Sequence, residues 1–119
     1  MEKKPSELEA LMLEKIREAG LPEPVREYKA LKDRQYPWDF AWPKQRLLVE
    51  IQGGIYQRGA HSRGAGIERD MEKLNLATLA GYRSLQFSRG MIEDGTAVET
   101  IRKALKRSGF KDPGEKSNE

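Results

Sequence analysis

Cysteine is missing from all 119 residues, and histidine occurs once. The first absence excludes disulfides, thiolate metal sites and a cysteine nucleophile. The second excludes a multi-histidine zinc site within one chain. Long apolar runs are missing as well: no stretch approaches the roughly 20 residues of a membrane span. The opening MEKKPSELEA also lacks the apolar segment of a secretory signal. These absences predict an intracellular, cytoplasmic protein with no membrane segment. Charge of one sign is not in large excess, with 22 Lys and Arg against 19 Asp and Glu for a net +3 and a pI near 9.2. That balance allows a polyanionic partner without requiring one. With 37% hydrophobic and 34% charged residues, the chain suits one domain with a modest core and a heavily charged surface.

Ser6 and Glu9 have capping-box spacing after Pro5, and Leu8, Leu11, Met12 and Ile16 form an apolar stripe at helical period. Gly20 and Pro22 stop that helix. Residues 24–31, PVREYKAL, alternate loosely and predict a first strand. Two further strands, over 35–42 and 46–53, are joined at Pro43-Lys44-Gln45. A basic, glycine-rich loop, GGIYQRGAHSRGAG, leads to a helix over 67–80 closed by Gly81. A strand over 82–88 and a helix over 96–108 follow. The composition of KDPGEKSNE predicts a disordered tail over 111–119 after a single domain over 1–110. The order α-β-β-β-α-β-α implies an α/β fold, a mixed sheet flanked by helices.

Burial alone registers the central hairpin, because a slip of one residue exchanges the two faces. With Trp42 opposite Leu47, Phe40 falls opposite Val49 and Trp38 opposite Ile51, an all-apolar face. The other face then carries Asp39 opposite Glu50, beside Ala41, Leu48 and Gln52. Like charges in directly opposed positions destabilise a sheet. Something cationic between them removes that cost, and oxygen-only ligands suit Mg2+ or Mn2+. The plain alternative is a pair of acids facing solvent at a sheet edge, each with an Arg or Lys partner.

Asp39, then Glu50-Ile51-Gln52 on the next strand, with a helix before and a helix–strand unit after, resembles the PD-(D/E)XK nuclease superfamily. The text WDFAWP, LLVEIQGG, HSRG and ERDMEKLNLATLAGYRSLQF is similar to its small phage-type and very-short-patch-repair-like endonucleases. The size and the leading helical glutamate resemble its Holliday-junction-resolving branch. The likeness runs from about Glu9 to Phe87. It implies a restriction-endonuclease-like αβββαβα core and a metal-dependent endodeoxyribonuclease. Asp39, Glu50 and the Ile51 carbonyl would hold Mg2+, with Mn2+ as a substitute, and Glu9 would face the site from the first helix. Glu7 and Glu14 compete for that place, and capping of Ser6 is the bland role for Glu9.

The pattern expects lysine where this chain has Gln52. A carboxamide can hydrogen-bond a water but carries no positive charge. Lys73, on the following helix, is the candidate replacement, its alternative being a solvated helix lysine. In the loop, Arg58 and Arg63 offer charged donors to phosphate, glycines let backbone amides approach, and His61 offers a proton donor or stays solvated. Arg69 extends that surface. The cluster Lys103, Lys106, Arg107 and Lys111 is either a favourable helix C-terminus or a DNA contact. The expected function is a structure-specific endonuclease that resolves four-way DNA junctions. Symmetric cutting of a junction needs two sites and therefore a homodimer. The alternatives are a monomeric nicking or mismatch-directed endonuclease, and a catalytically inactive nucleic-acid-binding domain of the same fold, which Gln52 keeps open.

Overall fold

A computed structural model describes residues 6–52 and 65–114. Helix α1 (Glu7–Glu18) begins where Ser6 Oγ accepts the Glu9 N–H at 3.0 Å. The strands are β1 (Val25–Lys29), β2 (Pro37–Trp42), β3 (Leu47–Ile51) and β4 (Arg83–Phe87). Helix α2 (Ala65–Leu79) lies between β3 and β4, and α3 (Arg89–Glu93) and α4 (Thr96–Arg107) follow. The strands form one sheet in the order β1-β2-β3-β4. Its first two pairings are antiparallel and β3 with β4 is parallel. The protein is thus an α/β fold with a mixed four-stranded sheet flanked by helices.

Each face of the sheet has its own core. On one, Leu8, Met12 and Ile16 of α1 pack with Ile92 of α3 and with Ala97, Ile101 and Leu105 of α4. They close over Phe40, Trp42, Leu47, Val49 and Phe87. On the other, Ala77 of α2 packs over Leu31, Trp38, Ala41 and Leu48. The run Leu47-Leu48-Val49 is wholly buried because β3 is covered on both faces. No helix among the described residues is long and apolar enough to cross a membrane.

The expected register holds in three pairs: Phe40 with Val49, Ala41 with Leu48 and Trp42 with Leu47. The expected face of Trp38 does not. Phe40 and Trp42 belong to the α1 side, whereas Trp38 is buried with Ala41, Leu48 and Ala77 on the α2 side. Strand β1 shows the same switch, with Arg26 over the Phe40 ring and Tyr28 packed beside Trp38's cluster. The cause lies between them. Glu27 has a left-handed backbone, φ 51, and the ladder pairs Arg26 with Phe40 and Tyr28 with Trp38 around it. A left-handed residue inside a strand interrupts the two-residue alternation, so side chains before and after it land on opposite faces.

Other boundaries differ in smaller ways. Strand β1 is shorter than the alternating stretch, α2 begins at Ala65 rather than Ile67, and the five-residue α3 was not expected. Ser88 caps α3 by accepting the Met91 N–H at 3.3 Å. Gly81 has φ 92 after α2, as its C-terminal position predicts. At the other end of the sheet, Arg83 donates to Ala104 O at 3.0 Å and to Gln45 O at 3.2 Å. Asp112 pairs with Arg102 and with Lys106, the latter at 2.9 Å. The basic end of α4 therefore sits by the start of β4, at the end of the sheet away from Glu50 and Ile51. That location favours the helix-terminus role for its cations over contact with a ligand at the acids.

Candidate functional site

The switch at Glu27 and Asp39 decides where the acids go. Ile51 N–H is directed toward β2, and it donates to Asp39 Oδ2 at 2.8 Å. Asp39 thus turns its carboxylate into the gap beside the ladder. There it meets Glu9 from α1 and Glu27 from β1. The three offer carboxylate oxygens that lie within 4.8 Å of one another, a group able to hold a metal ion. Glu9 is buried, Asp39 half-buried and Glu27 exposed, so the cluster opens to solvent on one side.

Glu9 shows what this proximity costs. Burial, then repulsion from Asp39 and Glu27, pushes its carboxyl above the usual range, and the close approach of the Asp39 side chain adds to the rise. Arg26 opposes the shift from 3.3 Å. The Glu9 carboxyl is thus engaged with Arg26 and Asp39, while its backbone N–H serves the Ser6 cap. Of the helical acids considered, Glu9 is the one in the cluster; Glu7 and Glu14 are exposed.

Glu50 lies on the α2 side of Asp39. Its Oε1 is 3.1 Å from Lys73 Nζ. Burial pushes its pKa up to about 7, Lys73 pulls it down, Asp39 pushes it up, and the Asp39 N–H donates to it. Lys73 Nζ also donates to Pro37 O at 2.9 Å and lies 4.6 Å from the Trp38 ring centroid. Its ammonium is held on three sides, with the side chain 13% exposed. A solvated helix lysine does not look like this. The face assignment of the two acids is corrected accordingly: Asp39 turns toward α1 and Glu50 toward α2, yet they remain electrostatically coupled.

Gln52 follows Glu50 at the end of β3, with its Nε2 3.5 Å from Gln86 Oε1. Trp38, Glu50, Gln52, Asp70, Lys73, Leu74 and Gln86 line a small, partly open pocket of about 10 Å³. Arg69 is exposed on α2. Arg58, His61 and Arg63 lie outside the described residues. Of the Ile51 main chain, the N–H is the group engaged at the acids.

Three residues at this site were not foreseen. Asp70 precedes Lys73 by three positions, so helical spacing alone puts both on one face. Gln86 stands opposite Glu50 in the parallel pairing of β3 and β4, which the order of strands did not register. Glu27 had no sequence signal, because a left-handed glutamate within a strand follows from no propensity.

Compared with protein families, curated proteins and solved structures, the chain matches none.

Proposed function

We propose that this protein is a divalent-metal-dependent DNA endonuclease with a PD-(D/E)XK-like site. The observation that carries the reading is the convergence of Glu9, Glu27 and Asp39 beside the Glu50–Lys73 pair, at one end of a sheet. Four carboxylates within mutual influence, two of them with raised pKa values, are a poor arrangement for an isolated protein. They fit a hard cation, which takes oxygen ligands and removes the repulsion. The strand order, two antiparallel pairings and then a parallel one, supports a restriction-endonuclease-like core.

Mg2+ or Mn2+ bound there would supply positive charge to a phosphate oxygen and make a nearby water more acidic. Glu9, Glu27 and Asp39 would hold the ion, and Glu50, electrostatically coupled to Asp39, would lie beside the set on the α2 side. Lys73 stabilises negative charge as it accumulates on the phosphate, a contribution made mainly in the transition state. Its location between Pro37 O, Glu50 and Trp38 fixes the ammonium without a motif lysine at position 52. Arg58, His61 and Arg63 follow Gln52 in the sequence, and as charged or proton-donating groups they would serve the phosphate backbone.

Branched DNA is the favoured substrate, since a homodimer would present two such sites to a four-way junction. The test is cleavage of a synthetic four-way junction and a linear duplex of the same sequence, with Mg2+ and with EDTA, beside sizing of the protein. Mg2+-dependent cutting of the junction by a dimer supports the reading. Equal cutting of both DNAs by a monomer supports the nicking alternative. Binding without cutting under every condition identifies an inactive nucleic-acid-binding domain.

A further inference from the structure

We propose that Arg26 is the built-in counter-cation of the Glu9, Glu27 and Asp39 cluster and competes with a divalent ion for the Glu9 carboxylate, so that this one guanidinium sets how much Mg2+ the cluster requires. The proposal rests on the metal reading above.

The backbone of β1 brings cation and acids together. The ladder pairs Arg26 with Phe40 and Tyr28 with Trp38, which leaves Glu27 opposite Asp39. In a regular strand Arg26 and Glu27 would point to opposite faces. The left-handed backbone at Glu27 suspends that alternation. Glu27 thus joins Glu9 and Asp39, while its neighbour Arg26 reaches Glu9 at 3.3 Å. Arg26 is the cation that offsets the repulsion Glu9 meets from Asp39 and Glu27. Lys73 is committed elsewhere, to Glu50 and Pro37 O on the α2 side.

The contact suits exchange better than permanence. A guanidinium can grip a carboxylate with two parallel N–H groups. Arg17 holds Glu23 in that way, through Nε and Nη2. Arg26 instead offers Glu9 a single Nη2 at 3.3 Å, and its buried Nε has no partner. The guanidinium also lies over the ring of the fully buried Phe40, 4.8 Å from the centroid. Giving up Glu9 therefore costs one long bond and leaves the cation resting on an aromatic face. One guanidinium offsets at most one of the three carboxylate charges, and the surplus suits a divalent ion. Two cations at this range repel each other, so each would weaken the other's hold on Glu9.

Titration calorimetry and thermal unfolding of the full chain, without DNA, test this. Arg26→Met keeps an apolar stem over Phe40 and removes the charge. It should lower the melting temperature of the metal-free protein, yet bind Mg2+ and Mn2+ roughly tenfold more tightly, the scale of one charge removed at close range. A merely structural role would move stability and ion binding down together. Arg26→Gln is a second neutral variant with the same expectation, used if Arg26→Met does not fold. Arg26→Lys retains the charge and should bind the ions close to the wild-type level. In a Glu9→Gln background, Arg26→Met should tighten ion binding much less, since the competition runs through the Glu9 carboxylate. Unchanged or weaker ion binding by the neutral variants, or full tightening in the Glu9→Gln background, overturns the proposal. Wild-type protein that binds neither ion removes the metal reading and the competition together, whereas ion binding indifferent to Arg26 removes the competition alone.

Discussion

Lys73 Nζ lies 3.1 Å from Glu50 Oε1, although 23 positions separate them in the chain. The contact joins α2 to β3 across the face that Trp38 and Ala77 seal. The lysine stem is buried along that face while its head reaches a polar site, as amphipathic side chains permit. The pair is not a simple surface ion bridge, because Glu50 is largely buried and Lys73 also donates to Pro37 O.

A role for Lys73 in the chemical step predicts a specific kinetic pattern. Lys73→Met should lower the cleavage rate by roughly a hundredfold or more, the scale of a lost oxyanion donor. DNA affinity should change little, since the contribution belongs to the transition state. A nearly fully active Lys73→Met beside an inactive Gln52→Ala would return the role to the glutamine.

Glu27 should trade stability for ion binding. Its left-handed backbone costs about 1 kcal/mol or more in an L-residue, a cost that glycine does not bear. Its carboxylate also repels Glu9. Glu27→Gly should therefore raise the melting temperature of the metal-free protein and shrink the further rise that Mg2+ produces by mass action. Thermal unfolding with and without Mg2+ measures both. A destabilised variant with an undiminished Mg2+ response would show that the backbone conformation has no link to the acids.

Stability should fall as pH rises through the range set by Glu50. Its folded pKa is raised from 4.5 to about 7. The native state thus binds that proton more tightly than the unfolded chain does, so native stability decreases from about pH 4.5 and levels off above 7. The full effect is about 3 kcal/mol at most. Glu9 is raised as well and adds in the same direction. Urea unfolding of wild type and Glu50→Gln across pH 4 to 8 isolates the contribution of Glu50 in their difference. A difference independent of pH would contradict the assignment. Mg2+ binding near pH 6 should also release protons, which titration calorimetry in buffers of different ionisation enthalpy detects.

The hairpin shows how far sequence reasoning reached. Apolar alternation registered Phe40, Ala41 and Trp42 on Val49, Leu48 and Leu47, because Phe40, Trp42, Leu47 and Val49 share one core face and a slip would break that set. It also brought Asp39 and Glu50 into electrostatic contact. It misassigned Trp38 because alternation assumes an uninterrupted strand, whereas β2 changes face between Trp38 and Phe40, opposite the left-handed Glu27 of β1. Glu9 was legible through its helix, but which side its carboxylate takes depended on Arg26 and Asp39, residues brought close by the fold. Helix α3 was illegible because five residues hold too little periodicity, and Ser88 with its capped Met91 N–H was the one local sign.

The most direct test of the account is Asp39→Asn, assayed for DNA cleavage and for Mg2+ response on the same sample. Asparagine retains an oxygen to accept the Ile51 N–H, so the fold should persist. It removes the charge at the centre of the cluster. The account predicts intact DNA binding, a lost Mg2+ stabilisation, and cleavage reduced by roughly a thousandfold or more, the scale of losing a metal's several kcal/mol. Cleavage by Asp39→Asn at the wild-type rate would contradict it.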